Sequence, residues 1–210
     1  MTIDEVLAQG TPPIVAILRG IQTHEAVAIA TALVEAGVRL IEVPFNSPDP
    51  VGSIAAMAAA LGTQAAIGGG TVTSPELAEQ LAGTGGTFMV SPNTDPAVIS
   101  RSKALGMDVL PGFLTPTEAF AAVAAGARDL KLFPGSALGS GYVKAVREVL
   151  PPSVRVWAVG GVGPANMAEF LGAGAFGFGI GSSLYRPGYD AAHVKANALA
   201  LVEAWERTHG

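Results

Sequence analysis

The chain has 210 residues and a mass of 21.1 kDa, with 50% apolar and 14% charged residues, a formal charge of −5 and a pI near 5.1. This composition describes one compact soluble domain and argues against disorder or tandem large domains. Twelve Lys and Arg against seventeen Asp and Glu leave no basic stripe for nucleic acid, and the absence of cysteine removes disulfides, thiolate metal sites and a Cys nucleophile. The opening Met1-Thr2-Ile3-Asp4-Glu5 is acidic and precedes no long apolar run. It fits neither a signal peptide nor a membrane anchor, so a cytoplasmic protein is expected.

Residues 1–10 precede the first β-rich run and are expected to form a short helix against the base of the fold. Eight apolar runs follow in chain order: Pro13 to Leu18, Val38 to Val43, Ala65 to Ile67, Thr87 to Val90, Met107 to Leu110, Leu130 to Phe133, Val154 to Val159 and Phe176 to Ile180. Their starts lie about 20 to 27 residues apart, room for one helix and two short loops, and their near-continuous apolarity fits parallel strands covered on both faces. Between them, Thr23 opens a helix that closes at Ala36-Gly37. Ser74-Pro75 and Thr115-Pro116 are caps followed by proline at the first helical position, the second helix ending at Ala125-Gly126. Gly163-Pro164 begins another that ends near Ala173-Gly174, and residues 188–210 read as an amphipathic C-terminal helix.

Eight strands alternating with about eight helices predict an α/β chain, a single-domain (β/α)8 barrel near its lower size limit. A doubly wound open sheet is the alternative. No G-x-G-x-x-G follows the first strand, whereas glycine-rich turns follow the seventh and eighth, which favours the barrel.

In a barrel, chemistry sits where strands end and βα loops begin. Arg19 ends the first strand, Glu42 lies within the second, Gly68-Gly69-Gly70-Thr71 follows the third, and Lys131 lies within the sixth. Of the four lysines, Lys103, Lys144 and Lys195 fall on polar helical stretches and read as solvated charges. Lys131, flanked by leucines, loses hydration, which favours a neutral nucleophilic amine. Glu42 in an apolar strand must be paired, neutralised or used. A desolvated lysine and a nearby carboxylate suit imine chemistry on a ketone, the amine attacking the carbonyl and the carboxylate moving protons.

The turns Val159-Gly160-Gly161-Val162-Gly163 and Gly179-Ile180-Gly181-Ser182-Ser183 offer bare backbone N–H groups and a hydroxyl where this architecture binds phosphate. His24, His193 and His209 form no ligand-spaced pair, so no metal site is expected. Trp157 and Phe113, Phe120, Phe170, Phe176 and Phe178 read as core, with Phe133 the exception because it shares the strand face of Lys131. The residues alone leave three readings open: imine chemistry, a phosphosugar isomerase or epimerase with Glu42 as base, and a non-catalytic phosphosugar-binding barrel in which Glu42 and Lys131 are a structural pair.

Several segments together carry a family resemblance: Ile17-Leu18-Arg19-Gly20, Ile41-Glu42-Val43-Pro44-Phe45-Asn46-Ser47-Pro48, Gly69-Gly70-Thr71-Val72, Ser91-Pro92-Asn93, Leu130-Lys131-Leu132-Phe133-Pro134, Val159-Gly160-Gly161-Val162 and Gly179-Ile180-Gly181-Ser182. From about Pro13 to Arg186 the chain resembles the 2-keto-3-deoxy-6-phosphogluconate and 2-keto-3-deoxy-6-phosphogalactonate aldolases. The resemblance implies a trimeric, cytoplasmic class I aldolase with no metal or other cofactor. Such an enzyme cleaves a 2-keto-3-deoxy-6-phospho sugar acid to pyruvate and glyceraldehyde 3-phosphate. It further implies that Lys131 is the Schiff-base lysine and Glu42 the general acid and base. Arg19 and Thr71 would contact substrate near the pyruvate end, Phe133 would pack beside the imine, and Gly160, Gly161, Gly181 and Ser182 would bind phosphate.

Gluconate-type members read E-x-T-L-R-T after the second strand and T-G-G after the seventh. The Pro44 to Pro48 loop and Val159-Gly160-Gly161 are of galactonate type, with a gluconate-specific enzyme of the same mechanism as the alternative. The arginine that gluconate-type members use for the substrate carboxylate is missing, so that role falls to Thr71, backbone amides or Arg19. Val159, in place of a threonine hydroxyl, would contact substrate near the carbon whose configuration distinguishes the two sugar acids.

Overall fold

The computed structural model describes residues 1–208, so His209 and Gly210, the last two residues of the expected C-terminal helix, lie outside the described residues. Short helix α1 (Ile3–Leu7) precedes strand β1 (Ile14–Ile17). The chain then alternates: α2 (Thr23–Glu35), β2 (Leu40–Pro44), α3 (Pro50–Leu61), β3 (Ala66–Gly70), α4 (Pro75–Gly83), β4 (Phe88–Val90) and α5 (Pro96–Ala104). β5 (Asp108–Leu110) and β6 (Gly112–Phe113) come next, followed by α6 (Pro116–Ala124), β7 (Asp129–Leu132), α7 (Gly135–Arg147), β8 (Arg155–Val159), α8 (Met167–Gly172), β9 (Gly177–Ile180) and α9 (Ala191–Glu206).

All strand pairs are parallel, in the order β5-β4-β3-β2-β1-β9-β8-β7-β6, which is a (β/α)8 barrel. The fifth strand, expected to end at Leu110, continues beyond Pro111 as β6, and the break falls at the proline, which has no N–H to donate to a ladder. β5 pairs with β4, β6 pairs with β7, and the Lys131 N–H donates to Pro111 O at 2.8 Å, which carries the ring across the break.

The predicted helix starts hold where a capping oxygen is available. Ser74 accepts from the Leu77 N–H, and Thr115 with Glu118 forms a reciprocal capping box ahead of Pro116. The helix expected from Gly163-Pro164 instead begins at Met167. Asn166 accepts from the Gly163 N–H and donates to Gly161 O, holding residues 163–166 as a turn. Phe120, expected in the core, is 45% exposed on α6, whereas Trp157, Phe113 and Phe178 are fully buried.

Strand alternation divides the apolar residues into two layers. Ile14, Ala16, Ile41, Val43, Leu130, Leu132, Ala158 and Phe178 face outward and pack with the helices. Val15, Leu40, Ala66, Phe88, Val90, Leu110 and Trp157 face inward, and Ile3 and Val6 of α1 join them from below. Burying each of those two α1 side chains stabilises the fold by roughly 1.5–3 kcal/mol and closes the barrel's base.

An ion network completes that base. Buried Asp129 accepts from Arg155 on both carboxylate oxygens and from Trp157 Nε1 at 2.7 Å, and Arg155 reaches on to Asp4 of α1. Asp129→Ala leaves the buried indole N–H without its acceptor and the half-buried guanidinium with only exposed Asp4 as partner, a loss of about 3–5 kcal/mol. Asp4→Ala removes only an exposed partner and costs about 1 kcal/mol or less. Urea denaturation of both variants checks this, and equal small losses would contradict the burial argument.

Candidate active site

The inward parity of the strands that builds the interior core also builds the site. Counting by twos from inward-facing Leu40 reaches Glu42, from Val15 reaches Ile17 and Arg19, and from Trp157 reaches Val159. Lys131 is in register with Trp157. With β5 and β6 as one strand, β2 and β7 are four strands apart in either direction. Glu42 and Lys131 therefore project inward from opposite walls, just below the C-terminal mouth.

A cavity of 650 Å³ opens at that mouth. Arg19, Thr71, Lys131, Phe133, Val159, Gly160, Gly161, Gly181 and Ser182 all line it. Glu42 does not. It is 2% exposed, its Oε2 is sealed from solvent without a hydrogen-bond partner, and it meets Lys131 and Arg19 only through their electric fields.

The glycines expected after the third strand lie inside it. β3 runs through Gly70, where a Cβ would fall 2.0 Å from Glu42 Oε2, so only glycine leaves room for the carboxylate. Next to it, Thr71 is a β-branched residue at φ 57°, a conformation L side chains rarely adopt. The Val72 N–H donating to Val90 O at 3.1 Å fixes the chain on the far side of that turn.

Burial sets the protonation states. It raises the Glu42 carboxyl from 4.5 to about 7, against the opposing pull of Lys131 and Arg19. It also lowers the Lys131 ammonium from its ordinary value, Glu42 opposing and Arg19 reinforcing the shift. Both groups are thus moved toward their neutral forms. The Phe133 ring lies 4.9 Å from Lys131 Nζ.

At the rim, the positive-φ residues Gly160 and Gly161 turn the chain sharply after β8. A Cβ at Gly161 would fall 2.3 Å from Ser136 Oγ, whereas one at Gly181 would meet only Ile17 Cβ at 4.0 Å. Gly181 is thus bare for a reason no protein neighbour supplies, which suits close approach by a ligand. Val159 and Ile17 add an apolar wall. Among the described residues, no group of three or more His, Cys, Asp or Glu is placed to hold a metal ion, and no helix is long and apolar enough to cross a membrane.

The profile described as "KDPG and KHG aldolase" matches residues 3–204. This chain belongs to that aldolase family. It is 47% identical to the 2-dehydro-3-deoxy-6-phosphogalactonate aldolase of Escherichia coli K12, over 92% of this chain and 94% of the relative. It is 46% identical to the probable 2-dehydro-3-deoxy-6-phosphogalactonate aldolase of Rhizobium meliloti 1021, over 94% and 93%. The solved structure described as "Native KDPGal structure" superposes with a TM-score of 0.92 at 46% identity, covering 94% of this chain and 96% of that one.

Three polar residues at the mouth of this aldolase-family barrel escaped the sequence reading. Asn46 Oδ1 accepts from Arg19 at 2.6 Å and steers the guanidinium across the rim. Asn166 ties the glycine turn after β8. Arg186 lines the cavity beyond Ser182. Each lies in a loop, outside the strand-end filter, and only the Pro44 to Pro48 motif brought Asn46 into view at all.

The Glu42 shift has a definite sign in stability. The folded protein holds the carboxyl proton up to about pH 7 and the unfolded chain only to about 4.5, so this group's contribution is full below pH 4.5 and lost as pH rises through 7. Glu42→Gln stays neutral throughout. Its stability relative to wild type is expected to rise across that window by a few kcal/mol and level off above it. Denaturation midpoints at pH 4, 6 and 8 check this, and a constant difference would contradict it.

Proposed function

We propose that this chain is a class I, Schiff-base aldolase that cleaves 2-keto-3-deoxy-6-phosphogalactonate to pyruvate and glyceraldehyde 3-phosphate, with no metal or other cofactor. The observation that carries the reading is a desolvated lysine opposite a desolvated carboxylate at the mouth of a barrel of this family.

Lys131 Nζ, as the neutral amine, attacks the C2 ketone to give a carbinolamine. Glu42, as the acid, protonates the departing hydroxyl, water leaves, and a protonated imine remains. Glu42, now carboxylate, accepts the C4 hydroxyl proton. The C3–C4 bond breaks with its electron pair drawn into the imine, releasing glyceraldehyde 3-phosphate and leaving an enamine. Protonation at C3 and hydrolysis then release pyruvate and restore Lys131. A carboxyl with a midpoint near 7 has both forms available at neutral pH, as alternating acid and base roles require.

Arg19, oriented by Asn46, and Thr71 hold the pyruvate carboxylate end in this scheme, and Phe133 packs beside the imine. Gly160, Gly161, Gly181 and Ser182 receive the phosphate. The enzyme works in the cytoplasm as a homotrimer. Exposed Leu114, Phe120 and Leu138, around α6 and the start of α7, support self-association, and light scattering should return three times the 21.1 kDa chain mass. A monomer would contradict the assembly.

Galactonate preference is supported by Val159 and the Pro44 to Pro48 loop. The two sugar acids differ only in configuration at C4, so one hydrogen-bond partner near that carbon separates them. Val159 supplies methyl groups where a threonine would offer a hydroxyl, a change worth roughly 1–3 kcal/mol between epimers. Wild-type kcat/KM is expected to favour the galactonate epimer, and Val159→Thr to narrow the ratio by about 10-fold or more. A wild-type preference for the gluconate epimer would overturn the substrate.

A further inference from the structure

Three cationic side chains line the cavity, Arg19, Lys131 and Arg186, and no carboxylate does. Lys131 sits at the floor with its ammonium form disfavoured by burial, and Arg19 is drawn toward Asn46 after β1. Arg186 alone stands beside the Gly181-Ser182 turn, and its Nε donates to Ser182 O at 3.0 Å. That single bond fixes the near side of the guanidinium and leaves both terminal nitrogens unclaimed. Among the described residues no carboxylate lies within ion-pair distance of it.

The segment carrying Arg186 is tied down on both sides. The Leu184 and Tyr185 N–H groups both donate to Gly181 O, and Asn197 Nδ2 donates to Leu184 O at 3.0 Å. The buried Tyr185 hydroxyl donates to Glu25 Oε1 at 2.8 Å, an acceptor that belongs to the capping box of α2. Pro187 packs over Gly20, where a Cβ would fall 2.9 Å from its Cγ. A long cationic side chain is thus presented from an anchored loop with its fork free.

We propose that Arg186 is the cationic residue of the phosphate subsite and the residue that makes this aldolase select phosphorylated over unphosphorylated substrates, an inference that rests on the function proposed above. Backbone N–H groups and a serine hydroxyl supply hydrogen bonds but no net charge, and the chain as a whole is negative by five. A phosphate monoester near neutral pH carries almost two negative charges. A guanidinium matches its oxygens with two parallel N–H donors, which a lysine cannot reproduce.

The test is calorimetric titration of the full chain with glycerol 3-phosphate at fixed ionic strength, with glycerol as the uncharged control. Wild type is expected to bind the phosphate ester and not glycerol. Arg186→Gln is expected to weaken binding about 10- to 100-fold, and Arg186→Lys to recover part of that loss. Undiminished binding to Arg186→Gln, or no binding to wild type, overturns the proposal.

A kinetic arm separates selection from damage. Aldol addition of pyruvate is measured with glyceraldehyde 3-phosphate and with glyceraldehyde as acceptors. The ratio of their kcat/KM values is expected to fall by the same 10- to 100-fold in Arg186→Gln, whereas equal losses on both acceptors would mark a structural role and overturn the assignment. Should wild type catalyse no addition at all, the aldolase reading fails, while the glycerol 3-phosphate titration still decides the role of Arg186.

Discussion

Everything at the mouth of this barrel depends on two ionisable groups buried on opposite walls without touching. A contact ion pair between Glu42 and Lys131 would hold both charged and leave neither free to react. Glu42 Oε2 has no hydrogen-bond partner and feels Lys131 only as a field, so desolvation outweighs attraction and both groups move toward neutrality. The surrounding sequence accommodates that arrangement. Gly70 vacates the space the carboxylate occupies, and the inward apolar layer below, sealed by α1, keeps water from the base of the barrel.

The two ends of the cavity are organised differently. At the β1 and β2 side, neighbouring loops are laced together by side chains: Arg19 donates to Asn46, and the Gly20 N–H donates to Ser47 Oγ at 3.0 Å. At the β8 and β9 side, bare backbone dominates, with Gly160, Gly161 and Gly181 lining the cavity and Asn166 bracing the turn. Side-chain geometry suits a planar carboxylate and keto group, whereas converging amides suit a tetrahedral anion. In the proposed scheme a substrate with both ends charged would be gripped at the rim, with its central carbons between Val159 and Lys131 on the cavity wall.

The strands and the inward-facing residues were legible because parity and hydrophobicity are local properties. Lys131 between leucines and Glu42 between Ile41 and Val43 violate the apolar pattern of their strands, and such a violation costs free energy unless the residue is used. The capped starts of α4 and α6 were legible for the same local reason. Other features depended on tertiary context. The fifth run reads as ending at Leu110, and only the barrel shows that Gly112 and Phe113, beyond Pro111, continue the same strand position. The start of α8 is delayed to Met167 because Asn166 leaves the helical region at φ −125° while its side chain ties Gly161 and Gly163 into a turn. Phe120 is apolar in a helix that reads as amphipathic, and its exposure follows from how α6 seats on the barrel. Asn46 and Arg186 act from loops, where no periodicity marks an orientation.

Covalent capture of the amine tests the central claim most directly. The protein is incubated with pyruvate and borohydride, then analysed by intact mass and peptide mapping alongside Lys131→Ala. A reduced pyruvate adduct confined to Lys131 in wild type and absent from the variant is the predicted result. No adduct, or an adduct of equal yield on Lys103, Lys144 or Lys195, would contradict a desolvated catalytic lysine and return the barrel to chemistry that needs no imine.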